Sequence, residues 1–430
     1  MRDQRRGHPH FTCTALSRGY PWCMAQVVAD KTQSVPDLIT QMLPDLRRIR
    51  HDLHMHPELC FEEQYTSALV QRELAAAGVR FKAGLGKGTG VLGYLPASNP
   101  ADESKGAIGL RADMDALPIT ERTGKSYSSR TEGKMHACGH DGHTAMLLGA
   151  AKVLSSVHRP RPVAFVFQPA EEGGGGAEVM CNEGALAGEN AGGLGAPVRM
   201  MFGLHGWPTV EVGKVASKVG PLLAATDDFE VTIKGTQAHG AYPHFGNDPI
   251  VASAQIINAL QTIVSRNASP LDAVVCTVGA INAGTADNII PETCKFIGTI
   301  RTLRPQMRTL AKERFFSIVE NTAQALGCSA QIKWMPGYPV TMNDAEATDT
   351  FFRIARGAFG GDCVDTIEQP TMGGEDFAYY GQRVPACFFL LGLKPRGAST
   401  YPTLHQPDFD FNDDALPIGI RALTECALKA

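Results

Sequence analysis

Residues 136–143 hold a dense group of side chains of the types that bind metal ions in proteins. The segment reads HACGHDGH, so eight residues include three histidines, one cysteine and one aspartate. An apolar, helix-like run follows at residues 145–151. We therefore predict that the segment lies at a strand end or loop and leads into a buried helix, where α/β enzymes place their chemistry.

Three further segments place ligand-type side chains directly after predicted strands. A glutamate pair follows the apolar run at residues 162–168, a histidine follows residues 199–204, and another histidine lies near the C-terminus. With the first cluster, the candidate ligands are Cys138, His140, Glu171 or Glu172, His205 and His405. A thiolate can bridge two divalent ions, and two ions about 3.5–4 Å apart polarise a carbonyl and lower the pKa of a bridging water.

The two adjacent glutamates suit two different roles. One carboxylate can bind metal while its neighbour stays free to take a proton from water and deliver it to a departing amine. The pair follows an apolar strand and precedes four glycines, residues 173–176, which favours a site over a solvated turn.

Two acidic clusters have both a structural and a functional interpretation. Asp113 and Asp115 follow a predicted strand, where either can orient a ligand imidazole or form a capped turn. Residues 373–377 form either a helix N-cap or a wall of the site. His136 and His143 are predicted as supporting or loop residues, because the ligand set is complete without them.

A third group of polar residues lies in the middle of the chain. His239, Asn288 and Arg301 together can grip a substrate carboxylate and stabilise an oxyanion, although each alone is more often structural.

Composition excludes several classes of protein. The 430 residues carry a net charge of −4, which removes the electrostatic argument for a nucleic-acid partner. No run approaches the ~18 apolar residues of a membrane helix, so no membrane partner is predicted. The 11 cysteines are an odd number scattered along the chain, which indicates reduced thiols and a cytoplasmic location. Residues 1–24 lack the apolar core of a signal peptide and are predicted as a disordered N-terminal extension.

The pattern of elements predicts an α/β protein with a mostly parallel sheet and an inserted α+β domain. Helical and apolar strand patterns alternate in residues 25–216 and again in residues 336–430, which we assign to one catalytic domain. Residues 217–335 read β-α-β-β-α-β, the order of a ferredoxin-like domain.

Six motifs together resemble the M20 metallopeptidases, and specifically the amidohydrolase branch of hippurate hydrolases, N-acyl-amino-acid amidohydrolases and indole-acetyl-amino-acid hydrolases. The resemblance covers the chain from about residue 36 to the end. The motifs are RADMDALPI, HACGHDGHTAMLLGAA, FQPAEEGGGGA, GLHGWP, AHGAYPHFGNDPI and MGGEDFAYY.

The resemblance implies a role for each matching residue. Glu171 becomes the general base, and a zinc-peptidase-like catalytic domain would hold two divalent ions, Mn, Zn, Co or Ni. The implied ligands are Cys138, His140, Glu172, His205 and His405. The inserted domain would serve as lid and dimerisation surface, giving a homodimer or homotetramer. It would supply the substrate contacts His239, Asn288 and Arg301.

Two positions depart from the pattern of the branch. The lid histidine commonly stands in Gly-Gly-His or Ser-His-Ala, and here residues 236–240 read TQAHG. The C-terminal motif often reads His-Asn/Ser-Pro, and here residues 405–407 read HQP. We expect the ligand to survive and the substrate preference to differ.

The leading hypothesis is hydrolysis of the amide bond of an N-acyl or N-aroyl amino acid, with Glu171 as the proton shuttle. A dipeptidase or an N-acetyl-diaminopimelate-type deacetylase is the alternative within the hydrolases. Two further alternatives are a thiol hydrolase that uses Cys138 with His140 and a non-catalytic binding protein. The spare carboxylate of Glu171 argues against the last, because a binding protein has no need of a base.

Overall fold

A computed structural model describes residues 33–430 of the chain. The predicted extension at residues 1–24 lies outside this range. Within the described range, none of the helices has both the length and the apolar composition that crossing a membrane requires.

The strands and helices alternate along most of the chain. The strands are β1 (Arg80–Leu85), β2 (Gly90–Leu95), β3 (Ala107–Asp113), β4 (Val163–Gln168), β5 (Val198–Glu211), β6 (Val215–Ser217), β7 (Gly220–Leu223), β8 (Ala225–Lys234), β9 (Ala238–His239), β10 (Val274–Ala283), β11 (Ile289–Ile290), β12 (Thr293–Thr302), β13 (Ser329–Pro336), β14 (Thr341–Asn343), β15 (Val364–Thr366) and β16 (Ala386–Lys394). The helices are α1 (Val35–Met55), α2 (Gln64–Ala76), α3 (His140–Ser156), α4 (Gly176–Asn182), α5 (Pro249–Thr262), α6 (Pro305–Ala325), α7 (Ala345–Phe359), α8 (Ala378–Gly381) and α9 (Leu416–Lys429).

An eight-stranded sheet in the order β1-β2-β4-β3-β5-β16-β6-β15 forms the larger part of the fold. Its four central strands, β4, β3, β5 and β16, run parallel to one another. β3 and β4 are buried along their whole length because helices cover both faces of the sheet. The carboxyl ends of the central strands meet at one edge, which brings together residues that are distant in the sequence.

A second, four-stranded sheet in the order β10-β12-β8-β13 is antiparallel throughout. Along β8, the buried side chains of Phe229, Val231 and Ile233 alternate with more accessible residues, because α5 and α6 cover one face. Strand order and element order are those of a ferredoxin-like unit. The structure therefore confirms the predicted fold class, a mostly parallel α/β sheet with an inserted α+β unit.

Two predicted placements differ from the structure. Helix α3 begins at His140 and not at residue 145, because Gly139 adopts φ +89° and its carbonyl accepts the first helical hydrogen bonds. His205 lies inside β5 and not after it, because β16 pairs with β5 in register as far as Trp207.

A buried ion-pair network joins α1 to the start of α3 and to the C-terminal segment. The fully buried Arg50 guanidinium contacts Asp141 at 3.3 Å, Asp410 at 2.9 Å and Asp413 at 3.0 Å. Removing one member of such a network leaves charges buried without a partner.

We predict that Arg50→Met lowers the free energy of unfolding by about 3–5 kcal/mol, because the Asp141 carboxylate stays buried and keeps only one of its two partners, His54 at 2.8 Å. Arg47→Met is the matched control one turn earlier, since Arg47 pairs with an exposed carboxylate, Asp414. Arg47→Met should lower the free energy of unfolding by ~1 kcal/mol or less. Urea denaturation followed by circular dichroism measures both, and equal losses would contradict the prediction.

Candidate metal centre

All five predicted ligands converge at the carboxyl edge of the parallel strands. Potential donor atoms of Cys138, His140 and His205 lie within 4.8 Å of one another. The same holds for Cys138, Glu172 and His405. The Cys138 sulfur belongs to both groups, and it lies 3.3 Å from Nε2 of His205 and 3.3 Å from Nε2 of His405.

Each histidine is oriented by a hydrogen bond from its other ring nitrogen or by its backbone. Nδ1 of His140 donates to the backbone carbonyl of Asp115 at 2.9 Å, and Nδ1 of His205 donates to the Gly206 carbonyl at 2.8 Å. Both rings therefore direct Nε2 at the cluster, as metal-binding histidines do. His405 has a left-handed backbone, φ +63°, fixed by a hydrogen bond from its amide to the Ala137 carbonyl.

The two predicted aspartates contact different histidines. Asp115 contacts His140 through its backbone carbonyl and its carboxylate, and thus orients a candidate ligand. Asp113 bonds Nδ1 of His143 at 2.7 Å. Nε2 of His143 in turn accepts from the Gly206 amide at 2.8 Å, so His143 supports the strand that carries His205.

Buried negative charge accumulates around this cluster. Five carboxylates are at most 6% exposed: Asp113, Asp115, Glu171, Glu375 and Asp376. The fully buried Arg111 pairs with Asp113, Glu375 and Asp376 at 2.7–3.0 Å. No other lysine or arginine in residues 33–430 forms an ion pair with these five carboxylates. Buried carboxylates are costly without compensating cations.

The residues present fit a pair of divalent cations. Nε2 of His140 is buried and finds no hydrogen-bond partner in the described part of the chain, and the buried Oε1 of Glu172 lies 3.2 Å from Nε2 of His405. One thiol, three imidazoles and a carboxylate are a donor set that suits divalent transition metals. Burial and the neighbouring carboxylates raise the pKa of the Cys138 thiol well above its usual value. A coordinated cation reverses that effect, because it deprotonates a thiol outright.

The environment of Cys138 does not favour its use as a nucleophile. That alternative predicted a pair with His140, whereas the nitrogens 3.3 Å from the sulfur belong to His205 and His405. A thiol whose pKa is raised stays protonated, and the protonated form is a poor nucleophile.

The glutamate loop after β4 is fixed through its backbone. The Asp115 carboxylate accepts from the amides of both Glu171 and Glu172, at 3.0 and 2.9 Å. The Glu63 carboxylate accepts from the amide of Ala170, which has a left-handed backbone, φ +54°. Such a conformation is strained for alanine and persists because the surrounding bonds hold it.

The Glu171 side chain is buried beside other acids. Burial, followed by the charges of Glu375, Glu172, Asp376 and Asp115, raises the pKa of its carboxyl well above the usual value. Of residues 373–377, Gly373, Gly374 and Glu375 line the cavity next to the cluster, in agreement with one of the two interpretations. The segment also includes a local cap, because the Phe377 amide donates to the Glu375 carboxylate at 2.8 Å.

A cavity of about 750 Å³ opens onto the cluster between the two sheets. Cys138, Glu171, Glu172, His205 and His405 line it on the side of the large sheet, and Arg301, Thr226 and Met335 line it on the side of the inserted unit. His239 and Asn288 are exposed neighbours on the β9–β11 ribbon and are not among its lining residues.

Sequence reasoning missed several residues around the cavity. Arg111 stood in a quoted motif, yet its role as the buried counter-charge was not predicted. Glu63 and Tyr338 were not singled out, although Glu63 stands in a pair of glutamates, residues 62 and 63, that follows α1. Tyr338 carries no local signal, because its contacts are with segments distant in sequence.

Comparison with known proteins gives consistent matches. N-acetyl-L-cysteine deacetylase of Bacillus subtilis (strain 168) is 41% identical over 389 residues, 90% of this chain and 88% of that protein. IAA-amino acid hydrolase ILR1-like 2 of Arabidopsis thaliana is 38% identical over 378 residues, 86% of this chain and 82% of that protein. A solved Bacillus subtilis structure, described as a dinuclear metal binding peptidase from the M20 family, aligns with a TM-score of 0.74 and 33% identity. It covers 90% of this chain and 98% of that one.

The family assignment rests on most of the chain. Residues 109–429 match the model of peptidase family M20/M25/M40. The matched range includes every candidate ligand and the glutamate pair. The resemblance in the motifs is therefore confirmed, and the chain belongs to peptidase family M20/M25/M40.

Proposed function

We propose that this protein hydrolyses the amide bond of an N-acyl or N-aroyl amino acid to a carboxylate and a free amino acid. The observation that carries the proposal is the convergence of two ligand groups on Cys138, directly beside the buried carboxyl of Glu171 in a 750 Å³ cavity. The names of two relatives, an N-acetyl-L-cysteine deacetylase and an IAA-amino acid hydrolase, support an acylated amino acid as the substrate class.

Cys138, His140, Glu172, His205 and His405 would hold two divalent ions. The sulfur of Cys138 belongs to both groups of potential donor atoms, with His140 and His205 in one group and Glu172 and His405 in the other. Mn, Zn, Co and Ni all accept this donor set. When bound, such a pair polarises the substrate carbonyl and lowers the pKa of water.

Glu171 would act as the proton shuttle of the reaction. Its carboxyl lines the cavity. Its backbone amide donates to the Asp115 carboxylate, which fixes the position from which the side chain extends. A raised pKa suits a group that first accepts a proton from water and then returns it to the departing amine.

Arg301 would bind the carboxylate of the amino-acid part of the substrate. Its guanidinium lies on the wall of the cavity that belongs to the inserted unit, and Thr299 orients its Nε at 3.0 Å. A guanidinium presents a rigid fork that matches a carboxylate.

His239 and Asn288 would reach the cavity of a second subunit. Both are exposed and lie outside the cavity of their own chain. The inserted unit has features of a subunit interface, since β10 is an edge strand and several large apolar side chains are exposed. These include Ile250, Val251, Val264, Leu271 and Ile281. A homodimer or homotetramer through this unit follows from the proposal.

A cytoplasmic location is part of the proposal. The nine cysteines that the structure describes are all free thiols, which supports a reducing compartment.

We predict that the protein loaded with Mn²⁺ releases free amino acid from a panel of N-acetyl, N-benzoyl and N-indoleacetyl amino acids. Glu171→Gln should lower kcat by about 10²–10⁴-fold, because the amide cannot carry the proton, with the metal content unchanged. Glu178→Gln removes an exposed carboxylate on α4 and is the matched control. Unchanged kcat in Glu171→Gln would refute the role of this residue, and faster turnover of dipeptides would favour the dipeptidase.

We predict that Cys138→Ala loses both activity and bound metal, since the sulfur belongs to both ligand groups. Metal content by plasma mass spectrometry and activity are measured on the same samples. Cys294→Ala, a buried thiol in the second sheet, should keep both. Loss of activity with full metal content would instead support the thiol nucleophile. Chelation by EDTA should inactivate the wild-type protein, and Mn²⁺ should restore it.

We predict that heterodimers of Glu171→Gln and His239→Ala subunits recover roughly half of the wild-type activity, although each homodimer is inactive. One site of such a heterodimer combines an intact Glu171 with the intact His239 of its partner. The two variants are co-expressed with different tags and purified through both. An inactive heterodimer would show that His239 acts within its own chain, and failure to isolate one would contradict the dimer.

A further inference from the structure

Tyr338 lies where the inserted unit returns to the large sheet, between β13 and β14. Its backbone is hydrogen-bonded to Thr226, at the start of the inserted unit. The Thr226 amide donates to the Tyr338 carbonyl at 2.9 Å, the Tyr338 amide donates to Oγ1 of Thr226 at 2.9 Å, and the Gly337 amide donates to the Thr226 carbonyl at 2.9 Å. The two linkers of the inserted unit are therefore hydrogen-bonded to each other. We call this group of three residues, Thr226, Gly337 and Tyr338, the pivot.

Helix α6 of the inserted unit is bonded to the same pivot through the side chain of Arg308. The Arg308 guanidinium forms a two-pronged ion pair with Asp227, at 2.8 and 2.7 Å, and donates to the Gly337 carbonyl at 2.9 Å. Arg308 therefore ties α6 to Asp227 and to the backbone of Gly337, the residue before Tyr338.

The Tyr338 side chain points away from the inserted unit and into the glutamate loop. Its hydroxyl accepts from the amides of Gly173 at 2.7 Å and Gly175 at 3.3 Å, and it donates to the backbone carbonyl of Glu171. One phenol oxygen thus bonds three backbone groups in the segment that contains both glutamates, and the Gly173 amide also donates to the Glu171 carbonyl at 2.7 Å.

The four consecutive glycines noted in the sequence make this arrangement possible. Gly173 and Gly175 adopt φ values of +91° and +66°. A Cβ on Gly174 would lie 2.6 Å from Cβ of Ala170, so the loop folds too tightly for a side chain there. The tract turns its amides inward around the hydroxyl, in the manner of a backbone nest around an anion.

The other backbone groups of the loop are held by the large sheet and by the segment after α1. Asp115 holds the amides of both glutamates, and Glu63 holds that of Ala170. The Glu171 carbonyl and the amides of Gly173 and Gly175 are held by Tyr338, from the pivot.

We propose that Tyr338 is a positioning residue that holds the Glu171 loop in its working geometry and makes that geometry depend on the position of the inserted unit. The inference rests on the proposed function, because it takes Glu171 as the proton shuttle. Arg301 lies on the inserted unit, so occupation of the cavity by a substrate carboxylate acts on the same body that carries the pivot.

The test is Tyr338→Phe, which removes the hydroxyl and keeps the ring. We expect kcat to fall by about 10- to 100-fold, because a small displacement of a catalytic group has that effect, with KM within about twofold. Hydrogen–deuterium exchange should become faster in residues 171–176, and the content of bound metal and the melting temperature should stay the same. Tyr379→Phe is the matched control, since Tyr379 is the neighbouring tyrosine, 6.3 Å away between ring centroids. It should change neither kcat nor exchange in the loop.

Three results would overturn the proposal. An unchanged kcat would show that the hydroxyl does not position the base. A lower kcat with unchanged exchange in residues 171–176 would show that Tyr338 acts in another way, and recovery of kcat in excess Mn²⁺ would assign the effect to the metal centre. The exchange measurement needs no substrate, so it decides the contact with the loop even if the wild-type protein fails to hydrolyse N-acyl amino acids.

Discussion

Buried negative charge at the carboxyl edge of the parallel strands is the constraint on which the rest of the site depends. Five carboxylates are at most 6% exposed, and Arg111 is shared among three of them. Helix α3 begins at His140, so its amino-terminal dipole adds partial positive charge at the same place. In the proposed function, two divalent ions held by the ligand groups that include Cys138 would complete the compensation, which would make tolerable a cluster that is costly in an ordinary core.

The fold separates the chemistry from the choice of substrate. Donor atoms and the base follow strands of the large sheet, which is packed on both faces and therefore rigid. Arg301 belongs to the other sheet. Two short linkers connect that sheet to the first, and they are hydrogen-bonded to each other at Thr226 and Tyr338. The proposed substrate contact Arg301 and the proposed ligands thus lie on different sheets.

The sequence was sufficient to predict helices and strands whose pattern of apolar residues lies within the element itself. Apolar runs predicted the buried strands, and the β-α-β-β-α-β order predicted the inserted unit. Local patterns did not reveal where His140 and His205 sit within elements, because Gly139 starts the helix early and pairing with β16 prolongs β5. Glu63 and Tyr338 were missed for a related reason, since each bonds backbone groups far along the chain. Helix α9 was also not predicted, although it packs against α1 and α3.

The position of β16 in the sheet has a consequence for biosynthesis. It is among the last strands to leave the ribosome, yet it lies near the middle of the large sheet, between β5 and β6. The whole inserted unit is made before it and can fold first, whereas parallel pairing over such a separation is slow. His405 and α9 follow later still. Four of the five proposed donors are therefore made with β3, β4 and β5, and the fifth, His405, joins them only after β16, so capture of two ions as proposed would be tied to the completion of synthesis.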